Sequence, residues 1–600
     1  MSFRHFARRR AWWLAALVFG CCGRVSATGQ AERPNVVLIL ADDQGYGDVG
    51  WHGNPILKTP HLDALAREGV ELRRFYVSPV CAPTRASLLT GRYNYRTRVV
   101  DTYQGRAMMD PDEVTLAEYL AQAGYRCGIF GKWHLGDNYP MRPADQGFHE
   151  SLVHRGGGIG QASDPPGGSS YFNPILSRDG VLEKTEGYCS DVYTDAAIRF
   201  VDAHKGGPFF VYLAFNAPHV PLEVPQAAFE PYMKEDLNAV TFAAADPKTP
   251  RSRTLETTAR VYGMVANIDA NVGRLVRHLR QLGLEENTLI LFMTDNGPQQ
   301  ARFNAGLRGL KGSVFEGGIR SVGVLRWPGT LEKGKTIVAP VAHIDITPTI
   351  LDACGVAPAN GPKLDGRSVW PLVTGRVAEL SERPFFTQWH RGNRPEPGKA
   401  CAVVTERWKL LQPQGVPEGS PLPEDGWMLF DLEEDPFEKH DLAAQHPQRV
   451  AEMKRMYDAW FADVSATRGY DPPRIVIDSA HENPTFLTRQ DWRMPDRPQS
   501  ASDTGLWELA IANDGALDVT LRFDPKPKPG QAWLELGGTT LSKPIAAGQA
   551  SVVFERVSAA KGDANLKAWV ERAAVPPAPS TRLGAASVKI EAATTIQGRK

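Results

Sequence analysis

Four apolar runs, each closed by residues able to do chemistry, constrain this chain more than any other feature. Asn35–Ala41 (NVVLILA) leads into Asp42-Asp43, and Tyr125–Phe130 (YRCGIF) into Gly131-Lys132-Trp133-His134-Leu135-Gly136. Pro208–Phe215 (PFFVYLAF) leads into Asn216-Ala217-Pro218-His219, and Thr288–Thr294 (TLILFMT) into Asp295-Asn296-Gly297. A run without polar alternation needs cover on both faces, as strands of a parallel sheet have. Helical periods lie between the runs: Val261, Met264, Val265, Ile268, Val272, Leu275 and Leu279 recur at three- and four-residue steps and stop near Gly283. Tyr193, Ala197, Phe200 and Val201 repeat the pattern. The expected fold is α/β, a large mixed, mostly parallel sheet with helices on both faces. Such sheets bind ligands outside the carboxyl ends of their strands, so the four polar ends should meet in one crevice.

The segment Cys81-Ala82-Pro83-Thr84-Arg85-Ala86-Ser87-Leu88-Leu89-Thr90-Gly91-Arg92 belongs beside that crevice. Ala86–Leu89 suit the start of a helix and Pro83 its first turn, where the N–H that proline lacks has no partner to lose. The helix's free N–H groups and the permanent charge of Arg85 would face an anion close to Cys81. A buried structural cysteine ahead of an ordinary helix is the plainer reading of a lone Cys near an Arg. The longer pattern, Cys-x-Pro-Thr-Arg followed by Leu-Leu-Thr-Gly-Arg, resembles the signature of type I sulfatases of the alkaline phosphatase superfamily, whose cysteine is oxidised to Cα-formylglycine.

That resemblance extends over most of residues 34–470 and implies a site. Asp42, Asp43, Asp295 and Asn296 match the ligands of one divalent cation, usually calcium, with the modified Cys81 as a further ligand. All-oxygen donors suit a hard cation. Lys132 and His134 match the family's Lys-x-His pair, His219 its second histidine and Lys311 its second lysine. Cys81, Arg85, Lys132, His134, His219 and Lys311 are thus the expected catalytic residues. Sulfate ester hydrolysis places charge on the sulfuryl oxygens and the departing oxygen, which a metal, two lysines and an arginine would stabilise. As the family mechanism implies, one hydroxyl of a formylglycine hydrate attacks sulfur and the other later expels sulfate. In that scheme Arg85 favours the alkoxide, His134 takes a proton in the elimination, and His219 and Lys311 protonate the leaving oxygen. Glu316-Gly317-Gly318 reads as backbone shaping.

Cationic groups near the expected crevice suggest the substrate. His390 and Arg391, beside Trp389, and His154, ahead of a Gly-rich loop over 156–170, are candidates for holding a sulfated carbohydrate. Two other readings remain: a phosphonate or phosphodiester hydrolase of the same superfamily, and a non-catalytic glycan-binding protein. The implied partners are the sulfated carbohydrate and a formylglycine-generating or radical maturase.

Lys+Arg 68 balance Asp+Glu 68, so bulk charge points to neither nucleic acid nor an anionic membrane. Arg4, Arg8, Arg9 and Arg10 precede an apolar run, Ala11–Cys22, and a small-residue end, Val25-Ser26-Ala27. This is the order of a secretory signal, residues 1–27, and implies export to the periplasm or outside. Val18-Phe19-Gly20-Cys21 loosely resembles a lipobox, making anchoring at Cys21 the alternative; no later segment resembles a membrane span. The remaining chain divides into a catalytic α/β domain (33–382), a small α+β subdomain (383–470), a Pro-, Arg- and Asp-dense linker (471–504), an all-β module of sandwich type (505–576) and a flexible tail (577–600). Cys127, Cys189, Cys354 and Cys401 fit neither a zinc site nor a disulfide framework.

Overall fold

The computed structural model describes residues 33–237, 251–413, 426–494, 504–524, 527–572 and 581–593. The expected signal peptide, 1–27, lies outside them. The apolar runs form the middle of a ten-stranded sheet. In chain order its principal strands are β1 (Asn35–Ala41), β2 (Arg126–Lys132), β3 (Glu150–His154), β4 (Phe209–Ala214), β5 (Thr288–Thr294) and β6 (Gly323–Arg326). Side by side they run β6-β5-β1-β4-β2-β3, parallel from β5 to β3, with β6 antiparallel to β5.

Alternate residues of β1 serve opposite cores, as a strand's period of two requires. Val36, Leu38 and Leu40 pack with Ala82, Ala86 and Leu89 of α1 (Cys81–Thr90). Val37, Ile39 and Ala41 pack with Tyr193 and Ala197 of α2 (Cys189–His204) and with Met264, Ile268 and Val272 of α3 (Arg251–Gln281). Each buried Val, Leu or Ile contributes roughly 1.5–3 kcal/mol over an exposed one, and this fixes where the polar residues after β1 emerge. β2 runs beyond Phe130 because Gly131 pairs with Ala214, and Lys132 pairs with His154. The strand therefore ends on Lys132 itself.

Residues 385–465 form an antiparallel sheet, β7 (Phe385–Gln388), β8 (Cys401–Val404), β9 (Trp408–Gln412) and β10 (Met428–Asp431). Helix α4 (Pro447–Ser465) covers it with Met453, Tyr457, Trp460 and Val464. Buried Lys409 on β9 pairs with Glu438 at 2.8 Å and with Glu316 at 3.0 Å, joining this sheet to the α/β domain.

The C-terminal part is a sandwich larger than its sequence suggests. Its strands are β11 (Ile475–Ile477), β12 (Thr485–Thr488), β13 (Leu506–Ile511), β14 (Gly515–Arg522), β15 (Gly530–Leu536), β16 (Thr539–Ile545), β17 (Ser551–Ala559), β18 (Gly562–Arg572), β19 (Thr581–Gly584) and β20 (Ser587–Ala592). One sheet runs β11-β13-β18-β15-β16 with β19 beside β18, the other β12-β20-β14-β17, and the two share one apolar core. Two expectations are corrected here. The stretch 471–504 supplies β11 and β12 rather than only a linker. Its charged residues are consumed in pairing, Arg474 with Asp563 at 3.0 Å and Arg493 with Glu508 at 2.8 Å. The stretch 577–600 supplies β19 and β20, where Val588 and Ile590 are buried between β12 and β14. Among the described residues no helix is long and apolar enough to cross a membrane.

Candidate active site

Helix α1 starts at Cys81, earlier than the Ala86–Leu89 start read from sequence, and every one of its residues is buried. Val80 enters extended, the Thr84 hydroxyl accepts from the Ser78 N–H at 3.0 Å, and Gly91 closes the helix in the left-handed region, its N–H on the Ser87 carbonyl at 2.9 Å. Cys81 thus sits on the first turn, facing the ends of β1, β2 and β5.

Those ends form a buried cluster of ion pairs. Lys132 Nζ lies 2.6 Å from Asp42 Oδ2, Lys311 Nζ 2.6 Å from Asp43 Oδ1, and Arg85 Nη2 2.8 Å from Asp295 Oδ2. The Asp43 N–H donates to Asp295 Oδ1 at 3.2 Å and Asn296 Nδ2 donates to Asp43 Oδ1 at 2.8 Å. Burial pushes the Asp43 carboxyl up, but Lys311, His219 and Asn296 outweigh it and hold it below the usual carboxylate range. Burial and the neighbouring Asp42 push Asp295 up to about 6. Burial lowers the Lys311 ammonium, yet Asp43 more than reverses this and keeps it charged. Burial pushes the Cys81 thiol up, with Lys132 and Lys311 pulling the other way.

After these contacts, Asp42 Oδ1, Asp43 Oδ2 and Asn296 Oδ1 remain buried without a partner. Buried acceptors are seldom left so. The ligand atoms of Asp42, Cys81 and Asp295 all lie within 4.8 Å of one another, the spread available to donors about 2.4 Å from a common hard cation. A divalent cation therefore fits, with oxygen donors free to receive it. The carbonyl of Gly317 lies where a Cβ on Gly297 would come within 2.0 Å, so the turn after Asn296 admits only glycine. Glu316 donates nothing to the cluster: it is bound by Tyr76 and Lys409, in keeping with a structural role.

Two histidines flank the cluster. His134 Nε2 lies 2.7 Å from the Thr102 carbonyl, and its Nδ1 is buried without a partner. A carbonyl only accepts, so Nε2 carries the proton and Nδ1 is a bare base. By the same reasoning His219 Nδ1 donates to the Val220 carbonyl at 2.7 Å and leaves Nε2 bare, 3.9 Å from Asp43 Oδ2. Burial pushes both imidazoles down, His219 to about 3 with help from Lys311, and His134 with help from Lys132. Gly157 and Gly158 lie against the two rings: a Cβ on Gly157 would come within 2.6 Å of His134 Nε2, and one on Gly158 within 3.0 Å of the His219 ring. The Gly-rich segment is thus part of the site.

The substrate candidates separate. His154, beside Lys132 on the sheet, is buried with Nε2 unpartnered. Arg391 reaches the site's edge, 2.9 Å from Asp101 and stacked over Tyr103 and Trp389. His390 is corrected: its Nε2 accepts from the Glu396 N–H at 2.8 Å and its Nδ1 donates to the Arg391 carbonyl at 3.0 Å, so no donor is left for a ligand. Gln161, which lies near both His134 and His219, escaped the sequence reading because it belongs to no motif.

The sulfatase family profile matches residues 34–356, and the profile of the N-sulphoglucosamine sulphohydrolase C-terminal region matches 310–460. Bovine arylsulfatase A (Bos taurus) is 30% identical over 512 residues, covering 74% of this chain and 92% of the relative. Dog N-acetylgalactosamine-6-sulfatase (Canis lupus familiaris) is 31% identical, covering 64% of this chain and 73% of the relative. The crystal structure of Ps i-CgsB with a neocarrahexaose superposes with a TM-score of 0.62 at 29% identity, over 73% of this chain and 95% of that one. By the profile over more than half its length and by relatives of this identity and coverage, the chain belongs to the sulfatase family.

Proposed function

We propose that this sulfatase is exported and removes sulfate from a sulfated carbohydrate, with Cys81 converted to Cα-formylglycine and one calcium ion held by Asp42, Asp43, Asp295, Asn296 and residue 81. The observation that carries the reading is the set of orphaned oxygens, Asp42 Oδ1, Asp43 Oδ2 and Asn296 Oδ1, gathered beside Cys81 and two lysines. A cation held by these residues would supply charge to stabilise a sulfuryl oxygen, and a formylglycine at position 81 would supply the attacking oxygen.

The chain's own residues do the rest. Lys132 and Lys311 hold the sulfuryl oxygens, and Arg85, fixed to Asp295 and to the Lys132 carbonyl at 2.9 Å, keeps positive charge behind residue 81. His134 takes a proton on Nδ1, the nitrogen its bond to Thr102 leaves bare. Lys311, kept charged by Asp43, delivers a proton to the leaving oxygen. His219 enters as a neutral imidazole and gains a proton on Nε2 only when an anionic sulfate lies beside it. His154 Nε2 and Arg391 hold the sugar. The carbohydrate is favoured because the relatives include an N-acetylgalactosamine-6-sulfatase and a protein crystallised with k-i-k-neocarrahexaose, and because the signal-like residues 1–27 imply export.

Protein produced with a maturation system should yield a Cys81 peptide lighter by one sulfur and two hydrogens and heavier by one oxygen. A panel of sulfated mono- and oligosaccharides should release inorganic sulfate. An alkylatable thiol at position 81 in fully active protein sinks the nucleophile, and turnover confined to small aryl sulfates sinks the carbohydrate.

A further inference from the structure

The C-terminal sandwich touches the catalytic loops at the residues that set His134. The loop 101–106, whose Thr102 carbonyl receives His134 Nε2–H, is irregular and needs outside support. Part of that support comes from the small subdomain: Trp389 Nε1 donates to Asp101 Oδ1 at 3.1 Å, and Arg391 Nη1 donates to the Thr102 hydroxyl at 3.1 Å. The rest comes from the sandwich. Gln490 Nε2 donates to the Thr102 carbonyl at 2.9 Å, and the Gln490 carbonyl accepts from the Gly105 N–H at 3.0 Å. The carbonyl that selects the His134 tautomer therefore has both its lone pairs filled, one by His134 and one by Gln490.

Gln490 is itself held by the sandwich core. It is buried, and it follows β12 in a turn where its N–H donates to the Thr488 hydroxyl at 3.3 Å. The Thr488 carbonyl in turn accepts from Trp507 Nε1 at 2.7 Å, and Trp507 is fully buried in the sandwich. The segment leaving His134 is fastened to the same module. Glu482 accepts from Asn138 Nδ2 at 3.0 Å and from the Tyr139 N–H at 2.8 Å, the Val476 N–H donates to the Tyr139 carbonyl at 3.0 Å, and Met141 packs in the sandwich core.

We propose that the C-terminal sandwich is a working part of the catalytic centre, with Gln490 the positioning residue that fixes the Thr102 carbonyl and, through it, the tautomer and placement of His134. The proposal rests on the reading of His134 as a base. The module is then no separable appendage: His134 is held between three parts of the chain, and among the described residues Gln490 of the sandwich is the other donor to the carbonyl that orients it.

The test uses full-length, matured protein with 4-nitrophenyl sulfate as probe, formylglycine occupancy at position 81 being measured by mass in every variant. Gln490→Met keeps the volume and loses the donor; Gln490→Glu keeps the shape and turns an oxygen on the carbonyl. Both should lower kcat about 10- to 100-fold with KM within about twofold, the cost of a misplaced catalytic group. In a His134→Ala background, itself slower by about 100-fold or more, Gln490→Met should add less than about a twofold loss, because the two act as one unit. The Gln490→Met crystal structure should show the Thr102 carbonyl or the His134 ring displaced. A Gln490→Met enzyme with wild-type kcat, an undiminished further loss in the His134→Ala background, or an unmoved carbonyl and ring overturns the inference. Wild-type turnover by His134→Ala instead overturns the reading of His134 beneath it.

Discussion

The cluster where β1, β2 and β5 end and the core of the C-terminal sandwich are equally buried and are built from opposite materials. Asp42, Asp43, Arg85, Lys132, Asp295 and Asn296 are all fully buried, and so are Trp507, Leu509, Val519, Leu534, Leu566 and Val588. The first set costs several kcal/mol per ion to desolvate, only partly offset by pairing, whereas the second stabilises by about 25 cal/mol per Å² of apolar surface removed from water. Charge is buried where chemistry needs it, and apolar mass elsewhere carries the stability. The sandwich extends that logic, since the same module that supplies an apolar core also presents Gln490 to the Thr102 carbonyl that receives His134.

The comparison breaks most sharply at residue 81. Cys81→Ala should abolish turnover, by about 10⁴-fold or more, while leaving the melting temperature close to wild type, since it deletes one small side chain and no charge. Measured sulfate release with an intact fold is the check; a folded Cys81→Ala enzyme retaining a tenth of wild-type activity would refute the nucleophile. Next in size is the opposite substitution. Trp507→Ala in the sandwich should destabilise by about 3–5 kcal/mol and, through Thr488 and Gln490, also lower kcat in protein that is still folded at the assay temperature. If stability falls and kcat does not, the two buried regions are independent.

Metal removal gives a smaller and more local effect. Chelation followed by desalting should lower the melting temperature, by an amount set by about 2.7 kcal/mol for a cation held at a hundredfold above its Kd, and re-addition of calcium should restore it. Asp42→Asn should blunt both changes. A melting temperature indifferent to chelator and calcium alike would leave the three orphaned oxygens without their proposed occupant.

These two regions were also unequally legible. The strand ends were readable because an apolar run that stops on Asp-Asp, Lys-Trp-His or Asp-Asn breaks the local pattern, and the structure brings Asp42, Asp43, Cys81, Lys132, Asp295, Asn296 and Lys311 together where those breaks lie. β3 was not readable, because Glu150-Ser151-Leu152-Val153-His154 offers two apolar residues where a buried strand usually offers five or more. His154 was singled out as a cationic group ahead of the Gly-rich loop, not as part of a strand. In the sandwich, β13, β14 and β15 alternate cleanly, but β16 is exposed over most of its length and carries no pattern. The stretch 471–504 misled because density of Arg, Asp and Pro ordinarily means solvation, whereas here Arg474, Gln490 and Arg493 spend their polar groups on neighbouring backbone and carboxylates. No spacing rule could announce Gln490, since its partner Thr102 lies in another domain, hundreds of residues earlier in the chain.

The smallest effect sits at the seam between the regions. Asp491, next to Gln490, has a buried oxygen without a hydrogen-bond partner and faces Asp137 and Glu482, with Arg155 the nearby cation. Burial first, then Asp137, pushes its carboxyl up to about 8, against an unfolded value of 3.8. Asp137 and Glu482 are raised as well, Arg155 only partly compensating. Folded protein therefore holds a proton that unfolded protein has lost throughout the window between those two values, so its contribution to stability is complete below about pH 4, falls as pH rises, and is gone above about pH 8. Asp491→Asn fixes the neutral form and removes this part of the slope. At about pH 4 the variant should melt with wild type; at about pH 9 it should melt higher, by roughly 2–4 °C, leaving the shallower slope due to Asp137 and Glu482. Parallel melting curves across that range would mean that the Asp491 carboxyl ionises as freely as in water, and that the seam between sandwich and catalytic loops is wet.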